Sequence, residues 1–154
     1  MRNSGDLITA IVTKLKAITG VITEMGGDNS RIFAYEDEFP TSLNLQKAIY
    51  EMPDPAIMVI WNGTGPTGAR YEVWAHRFSL ALKAANKFSA LCAAISNGVP
   101  TGGDGLNFRR TTIHSDCDPI GAMNFDRRFL VVTETSTLDY FEASFSLMER
   151  GIAA

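Results

Sequence analysis

The stretch Tyr140-Phe-Glu-Ala-Ser-Phe-Ser-Leu-Met-Glu149 decides the fold, because its apolar and polar residues alternate. The apolar residues share one parity: Phe141, Ala143, Phe145 and Leu147. The polar residues share the other: Glu142, Ser144 and Ser146. Alternation with a period of two is typical of a β-strand with one buried side and one solvent-facing side. The stretch is therefore predicted to be a long half-buried strand, which requires a sheet built from upstream segments.

Other segments can supply that sheet. The β-branched and aromatic run 129–135 predicts a second strand, or the start of the same ribbon. The continuous apolar run 56–61 predicts a strand that is covered on both faces or central in its sheet. Alternation over 72–82 predicts a long partner for it, in a hairpin with the glycine-rich segment 62–70 at its tip. Shorter strands are expected at 31–36 and 106–114.

The sequence pattern predicts fewer helices than strands. Apolar residues spaced three and four apart predict an amphipathic helix from about Leu7 to Ile18 that ends at Gly20. Asn3, Ser4 or Asp6 can cap its start. A second main helix is predicted at 86–97, and a short one at about 43–50. Because strands run consecutively, we expect one α+β domain over residues 1–154, an antiparallel sheet with two main helices packed on one face.

Composition supports a globular domain and narrows its setting. The chain has 154 residues, 45% of them hydrophobic and 20% charged, as in average globular proteins. A formal charge of −3 gives no electrostatic case for nucleic-acid binding as the main activity. The apolar runs are shorter than the about 20 residues that span a bilayer, so we expect no membrane association. Cys92 and Cys117 are expected to be reduced, in a cytoplasm or a particle assembled there.

Two motifs suggest chemistry. Gly63-Thr-Gly-Pro-Thr-Gly68 matches the G-x-G-x-x-G pattern of a dinucleotide-binding loop. Such a loop needs a helix after it, whose N-terminus faces the pyrophosphate. Here a strand pattern follows, so a hairpin tip that docks on a neighbour is favoured. The run 114–118, His-Ser-Asp-Cys-Asp, contains possible metal ligands, but no second pair completes a set, so a polar loop is favoured. A small nucleotide- or metal-binding enzyme domain that uses either motif is the alternative from another class.

The order of elements, rather than a catalytic signature, carries a family resemblance. A helix precedes the short strand 32–35, a hairpin ends in Arg77-Phe-Ser-Leu-Ala-Leu, and a helix at 88–97 leads to an arginine-bearing strand. The last ribbon ends in Tyr140-Phe-Glu-Ala-Ser-Phe-Ser-Leu-Met-Glu-Arg-Gly151. This layout resembles the tail terminator and tail-completion proteins of tailed bacteriophages, and the resemblance covers most of the chain.

The resemblance implies a structural virion protein, assembled in the host cytoplasm and located in the tail or neck region. Such proteins form a homohexameric ring at the head-proximal end of the tail. The ring stops polymerisation of the tail tube protein and meets the head–tail connector protein, while double-stranded DNA passes through the lumen without specific binding. The family has no catalytic residues, and no cofactor or metal is expected. A head-completion or neck connector protein, which also forms rings, is the alternative within this setting.

Contacts between subunits are expected from two kinds of residue. The hairpin tip and the predicted loop 115–128 would meet neighbouring rings, and basic doublets would pair with an acidic run or contact passing DNA phosphates. The expected interface residues are Gly63, Gly65, Pro66, Gly68, Arg70, Arg109, Arg110, Asp116, Asp118, Arg127, Arg128, Glu36, Asp37 and Glu38.

Overall fold

A mixed five-stranded sheet organises the described part of the protein, with the strands in the order β1-β2-β3-β5-β4. The computed structural model describes residues 2–38, 44–66, 73–84, 87–97 and 113–149. The strands are β1 (Ile32–Ala34), β2 (Ala56–Pro66), β3 (Trp74–Lys83), β4 (Cys117–Thr133) and β5 (Ser136–Glu149). The α-helices are α1 (Ser4–Ala17), α2 (Thr19–Glu24), α3 (Tyr35–Glu38), α4 (Leu45–Glu51) and α5 (Phe88–Asn97).

The α+β class is confirmed, but the finer architecture expected from the sequence is wrong in three respects, the first two being the direction of β1 and the number of helices. The sheet is not wholly antiparallel, because β1 pairs in parallel with β2, with Ile32 opposite Ile57. The segment between these strands includes α3 and α4, so the chain crosses over and re-enters the sheet in the same direction. The described residues also form five α-helices rather than two main ones. The short helix predicted at 43–50 is α4, whereas α2 and α3 were not predicted, because their segments have weak periodicity.

Helices cover both faces of the sheet, which corrects the expectation that they pack on one. On the first face, α1, α2 and α5 bury the alternating side chains of β3 and β5, including Phe78, Leu80 and Leu147. On the second face, Ile49 and Met52 of α4 and its C-terminal flank pack on the strand residue Met58. This two-sided burial explains why residues 56–60 are all apolar, and the predicted doubly covered strand is confirmed.

The first helix follows the sequence closely. Asn3 caps α1, because its side-chain oxygen accepts a hydrogen bond from the backbone N–H of Gly5 at 2.8 Å. The predicted apolar stripe is buried, including Leu7 and Ile11 at 0% exposure. The predicted end at Gly20 is wrong, since the helix breaks at Ile18 and Gly20 lies inside α2.

Two segments predicted as loops are strands. Gly63, Gly65 and Pro66 belong to β2, which stays paired with β3 as far as Pro66 opposite Trp74. Gly68 and Arg70 lie outside the described residues. Residues 117–128, expected in a loop, belong to the 17-residue strand β4. The Asp118-Pro119 turn signal misleads here, because β4 is the last strand of the described sheet and an edge strand tolerates the missing N–H of a proline.

A buried lysine fastens α4 to the sheet. Lys83, at the end of β3, is 4% exposed, and its Nζ donates to the carbonyl oxygens of Tyr50 at 3.0 Å and Met52 at 2.9 Å. These carbonyls lie at the C-terminal end of α4, where helices leave acceptors unpaired. Burial lowers the pKa of Lys83, and the Asp54 carboxylate opposes that shift.

We expect Lys83→Met to lower the free energy of unfolding by about 1–3 kcal/mol, because it leaves two buried carbonyls without donors. The measurement is urea unfolding at neutral pH, with Lys47→Met on the exposed side of α4 as the matched control. The folded pKa lies below the unfolded value, so the wild type gains stability as pH rises from its folded pKa toward 10.5, and the variant lacks this gain. Equal losses in the two variants would contradict the role of Lys83.

Candidate functional site

A hydrogen-bonded chain of side chains surrounds the fully buried His76 of β3. Thr64 lies opposite His76 in the β2–β3 register, and its Oγ1 is 2.9 Å from His76 Nδ1. On the other side of the ring, His76 Nε2 is 3.0 Å from Glu149 Oε1 at the end of β5. Trp61 Nε1 donates to Thr64 Oγ1 at 3.1 Å, and the backbone N–H of Arg2 donates to Glu149 Oε1.

The direction of each hydrogen bond follows from its neighbours. An indole N–H can only donate, so Thr64 Oγ1 accepts from Trp61 and its own hydrogen is available to His76 Nδ1. His76 Nε2 then carries the hydrogen that is donated to Glu149, a tautomer assigned from the network. Burial pulls the pKa of Glu149 upward, but the hydrogen bonds from His76 and from Arg2 N–H, together with nearby positive charge, hold that pKa below its usual range.

The order hydroxyl, imidazole, carboxylate is also the order in hydrolases that activate a hydroxyl nucleophile. In this chain the hydroxyl of Thr64 already accepts a hydrogen bond from Trp61 and sits on a paired strand. The arrangement ties the segment before α1 to β3 and β5, and we interpret it as a structural clasp. His76 shares the parity of the apolar residues Phe78 and Leu80 in the sequence, but a partner 73 residues away along the chain leaves no local signal.

The cluster at 114–118 builds the entry into β4. His114 Nδ1 accepts a hydrogen bond from the backbone N–H of Asp116 at 3.1 Å, and Asp116 also pairs with the guanidinium of Arg2. Cys117 is buried at 1% exposure. Within the residues that the structure describes, no group of three or more His, Cys, Asp or Glu side chains could hold a metal ion.

The arginines of the second doublet find partners within their own hairpin. Arg127 Nε lies 3.0 Å and 3.1 Å from the two carboxylate oxygens of Asp139, and its guanidinium lies 5.4 Å from the ring centre of Phe129. This pairing raises the pKa of Arg127 and lowers the pKa of Asp139. Arg128 lies 3.8 Å from Glu142.

The other charged residues of the expected interface are not brought to these arginines by the described structure. Glu36, Asp37 and Glu38 form the exposed helix α3, next to β1 at the opposite edge of the sheet. Arg109 and Arg110 lie outside the described residues. Pairing between this acidic run and the arginines of a neighbouring subunit stays a prediction.

A two-stranded arm extends past the sheet at the other edge. β3 pairs with β5 only over Phe141–Met148, whereas β4 and β5 stay paired as far as Thr133 opposite Ser136. Residues 128–140, here called the arm, therefore have no third strand beside them within the described part of the chain. Isolated two-stranded hairpins are marginally stable in water, so such an arm depends on contacts made by its faces.

The two faces of the arm differ in burial. On one face Leu130, Leu138 and Tyr140 pack against the α4 cluster. On the other, Phe129 is 66% exposed and Val131 is 73% exposed. This second face continues the core face of β5, where Phe141 packs against Phe88 at 4.6 Å between ring centres. The exposed pair is thus apolar surface that the described helices leave uncovered, which is a feature of contact surfaces.

We expect Glu149→Gln to lower the free energy of unfolding by about 1–3 kcal/mol at neutral pH, since it removes the charged acceptor for His76 and Arg2. The folded pKa of Glu149 lies below 4.5, so its contribution is present above that pH and is lost as pH falls through the folded value. The gap between wild type and variant should therefore narrow in acid. Urea unfolding across this range tests it, with Glu51→Gln on the exposed side of α4 as control; a gap that does not depend on pH would refute it.

Comparison with known proteins gives no family for this chain. The scan against protein-family models found no match. The search of curated proteins found none either. No helix among the described residues has the length and apolar character needed to cross a membrane. Function is therefore inferred from the exposed arm and from the resemblance drawn on the order of elements.

Proposed function

We propose that this protein is a structural component of a tailed-bacteriophage virion that forms a ring at the head-proximal end of the tail tube. In this role it stops tube polymerisation and joins the tail to the head connector, without catalysis. The observation that carries the proposal is the arm, a paired ribbon that leaves Phe129 and Val131 exposed beyond the end of the sheet. A protein that assembles through its own edges needs an element of this kind.

The positions of the two sheet edges support a ring. The arm belongs to β4 and β5 at one end of the strand order, and β1 lies at the other end. A contact between opposite ends of two copies is heterologous, and heterologous contacts generate closed rings when the rotation closes. A groove of about 290 Å³ between α1 and β1, lined in part by Ile8, Val12 and Lys16, lies at the β1 end of the sheet, where the arm of a neighbouring copy would bind.

Charge patterning favours a structural role over a nucleic-acid grip. The chain has a formal charge of −3, and the arginines Arg127 and Arg128 face carboxylates of their own hairpin. Binding to a duplex rests on cations that neutralise phosphates. A ring of such chains suits a passage that lets DNA slide, in keeping with the resemblance.

Deleting Gly63–Gly68 would test whether the expected hairpin tip contacts a neighbouring ring, but it would also remove paired residues of β2. Substitutions in the arm give a sharper test. We expect the double substitution Phe129→Ser and Val131→Ser to abolish ring assembly while the chain stays folded, because both side chains are already exposed in one copy. Electron microscopy and native mass spectrometry of purified protein, alone and with tail tubes, measure assembly. Circular dichroism and thermal unfolding check the fold.

Tyr50→Ser on α4 is the matched control, since the Tyr50 side chain is 53% exposed and is not part of the α4 cluster that packs on the arm. Wild type and control should give six-fold rings seated on the tube, and the double variant should give folded monomers. Rings that form as readily with the double variant would refute the role of the arm. Rings seated against a portal instead of a tube would assign the protein to the head-completion class.

A further inference from the structure

A polar pocket lies on the second face of the sheet, the one that α4 covers. It lies beyond α4 in the direction of the strands. Its volume is about 310 Å³, and its polar lining comes from four strands: Asn62, Arg77, Asn124, Ser144 and Ser146. No carboxylate is among its described lining residues. Along β2, this face of the sheet changes from apolar at Met58 to polar at Asn62, where the pocket begins.

The strand register brings these side chains together. Arg77 of β3 lies opposite Ser146 of β5, and Ser144 lies opposite Asn124 of β4. Side chains of directly opposed residues share a face of the sheet, so all four project to the same side. Asn62 of β2 joins them, because its Nδ2 donates to Ser79 Oγ at 2.9 Å across the β2–β3 pair. The pocket is thus built on paired strands rather than on loops.

A bulge in β2 makes room for the arginine. The register between β2 and β3 shifts between Trp61 and Gly63, and Gly63 has φ of 127°, which side-chain-bearing residues rarely adopt. A Cβ at Gly63 would lie 3.1 Å from Arg77 Nη2. Glycine here lets the guanidinium lie close over the backbone of β2. Bulges often re-aim a side chain next to functional sites.

The donors of the pocket are available. Within the described part of the chain, the side chains of Arg77, Asn124, Ser144 and Ser146 have no hydrogen-bond or ion-pair partner. Three carboxylates flank the pocket on this face. Asp126 and Glu142 form the pair beyond Asn124 and Ser144, and Arg128 lies within 4 Å of both. Asp118 lies opposite Met148, on the other side of Ser146, and already has an interaction partner of its own.

We propose that this pocket binds a phosphate group, held by the fork of Arg77 with the Asn124 amide and the two serine hydroxyls. A guanidinium presents paired N–H donors that match the oxygens of phosphate, and charge-assisted bonds of this kind are the strongest available to it. The group has two sources with the same chemistry, free inorganic phosphate and the phosphodiester of a nucleic acid. This site is separate from the arm, so it goes beyond the proposed ring and does not depend on it.

The test is a titration of the isotope-labelled chain with sodium phosphate, against sodium chloride at equal ionic strength and pH, followed by amide NMR. We expect saturable shifts at Asn124, Ser144 and Ser146, and an affinity about tenfold or more weaker in Arg77→Gln, which loses the charged fork. Arg128→Gln is the matched control, an exposed arginine on the same face outside the pocket, and it should keep the wild-type affinity within about twofold.

A second arm of the experiment replaces phosphate with a short DNA duplex. Shifts at the same amides that depend on Arg77 would identify a phosphodiester site, and shifts with phosphate alone would identify a site for the free anion. Shifts that never saturate, or that are equal in Arg77→Gln and the wild type, would overturn the proposal. Arg77 is exposed in the folded chain, so its replacement leaves the core intact.

Discussion

Antiparallel pairing between β3 and β5 is the constraint on which the rest of the structure depends. It joins segments that are more than fifty residues apart, with Phe78 opposite Phe145 and Leu80 opposite Ala143. Because the side-chain period of a strand is two, a slip of one residue would move the whole apolar set to the other face. The register therefore fixes which side α1 and α5 cover, which side α4 covers, and where His76 meets Glu149.

The same register places polar groups that have hydrogen-bond partners on one face of the sheet and polar groups that are free to bind a ligand on the other. On the core face His76 is fully buried and has a partner at each ring nitrogen. A buried polar group that lost one of these partners would cost more than the bond itself contributes. On the opposite face Arg77, one residue along β3, is exposed and has no such partner within the described residues. Adjacent residues of one strand thus serve two purposes, stability on one side and recognition on the other.

Period and capping could be predicted from the sequence, and long-range partners could not. The alternation at 141–147, a polar cap at the start of α1 and the buried apolar run 56–60 all express local physics. The structure shows each of them, and it selects Asn3 from the three possible caps Asn3, Ser4 and Asp6. The parallel pairing of β1 was missed, because three residues carry too little pattern to set a direction. At 117–128 the turn chemistry of Pro119 outweighed the strand signal, since nothing local reveals that a strand lies at an edge.

The candidate sites follow the same rule. The sequence could show that 129–135 is a strand, but not that β3 ends before it and leaves Phe129 uncovered. The polar pocket depends on a register across four strands and on a bulge at Gly63, which a glycine-rich spelling presented as a loop. Residues separated by dozens of positions along the chain define both places. Only a fold that fixes their alignment can show them.

The size of the arm bears on how a ring would assemble. Fully burying an aromatic or branched side chain contributes about 1.5–3 kcal/mol, so Phe129 and Val131 together supply about 3–6 kcal/mol. Association of two free copies costs about 4–15 kcal/mol in lost translational and rotational freedom. Because the gain exceeds the cost only where the two ranges overlap, one arm contact leaves an isolated pair marginal at best. In the proposed ring each copy would make two such contacts. A tail tube would hold several copies side by side, so less translational and rotational freedom would be lost when they pair. Assembly that waits for the end of a tube is what a terminator requires, because rings that closed freely in solution would be lost to the tail.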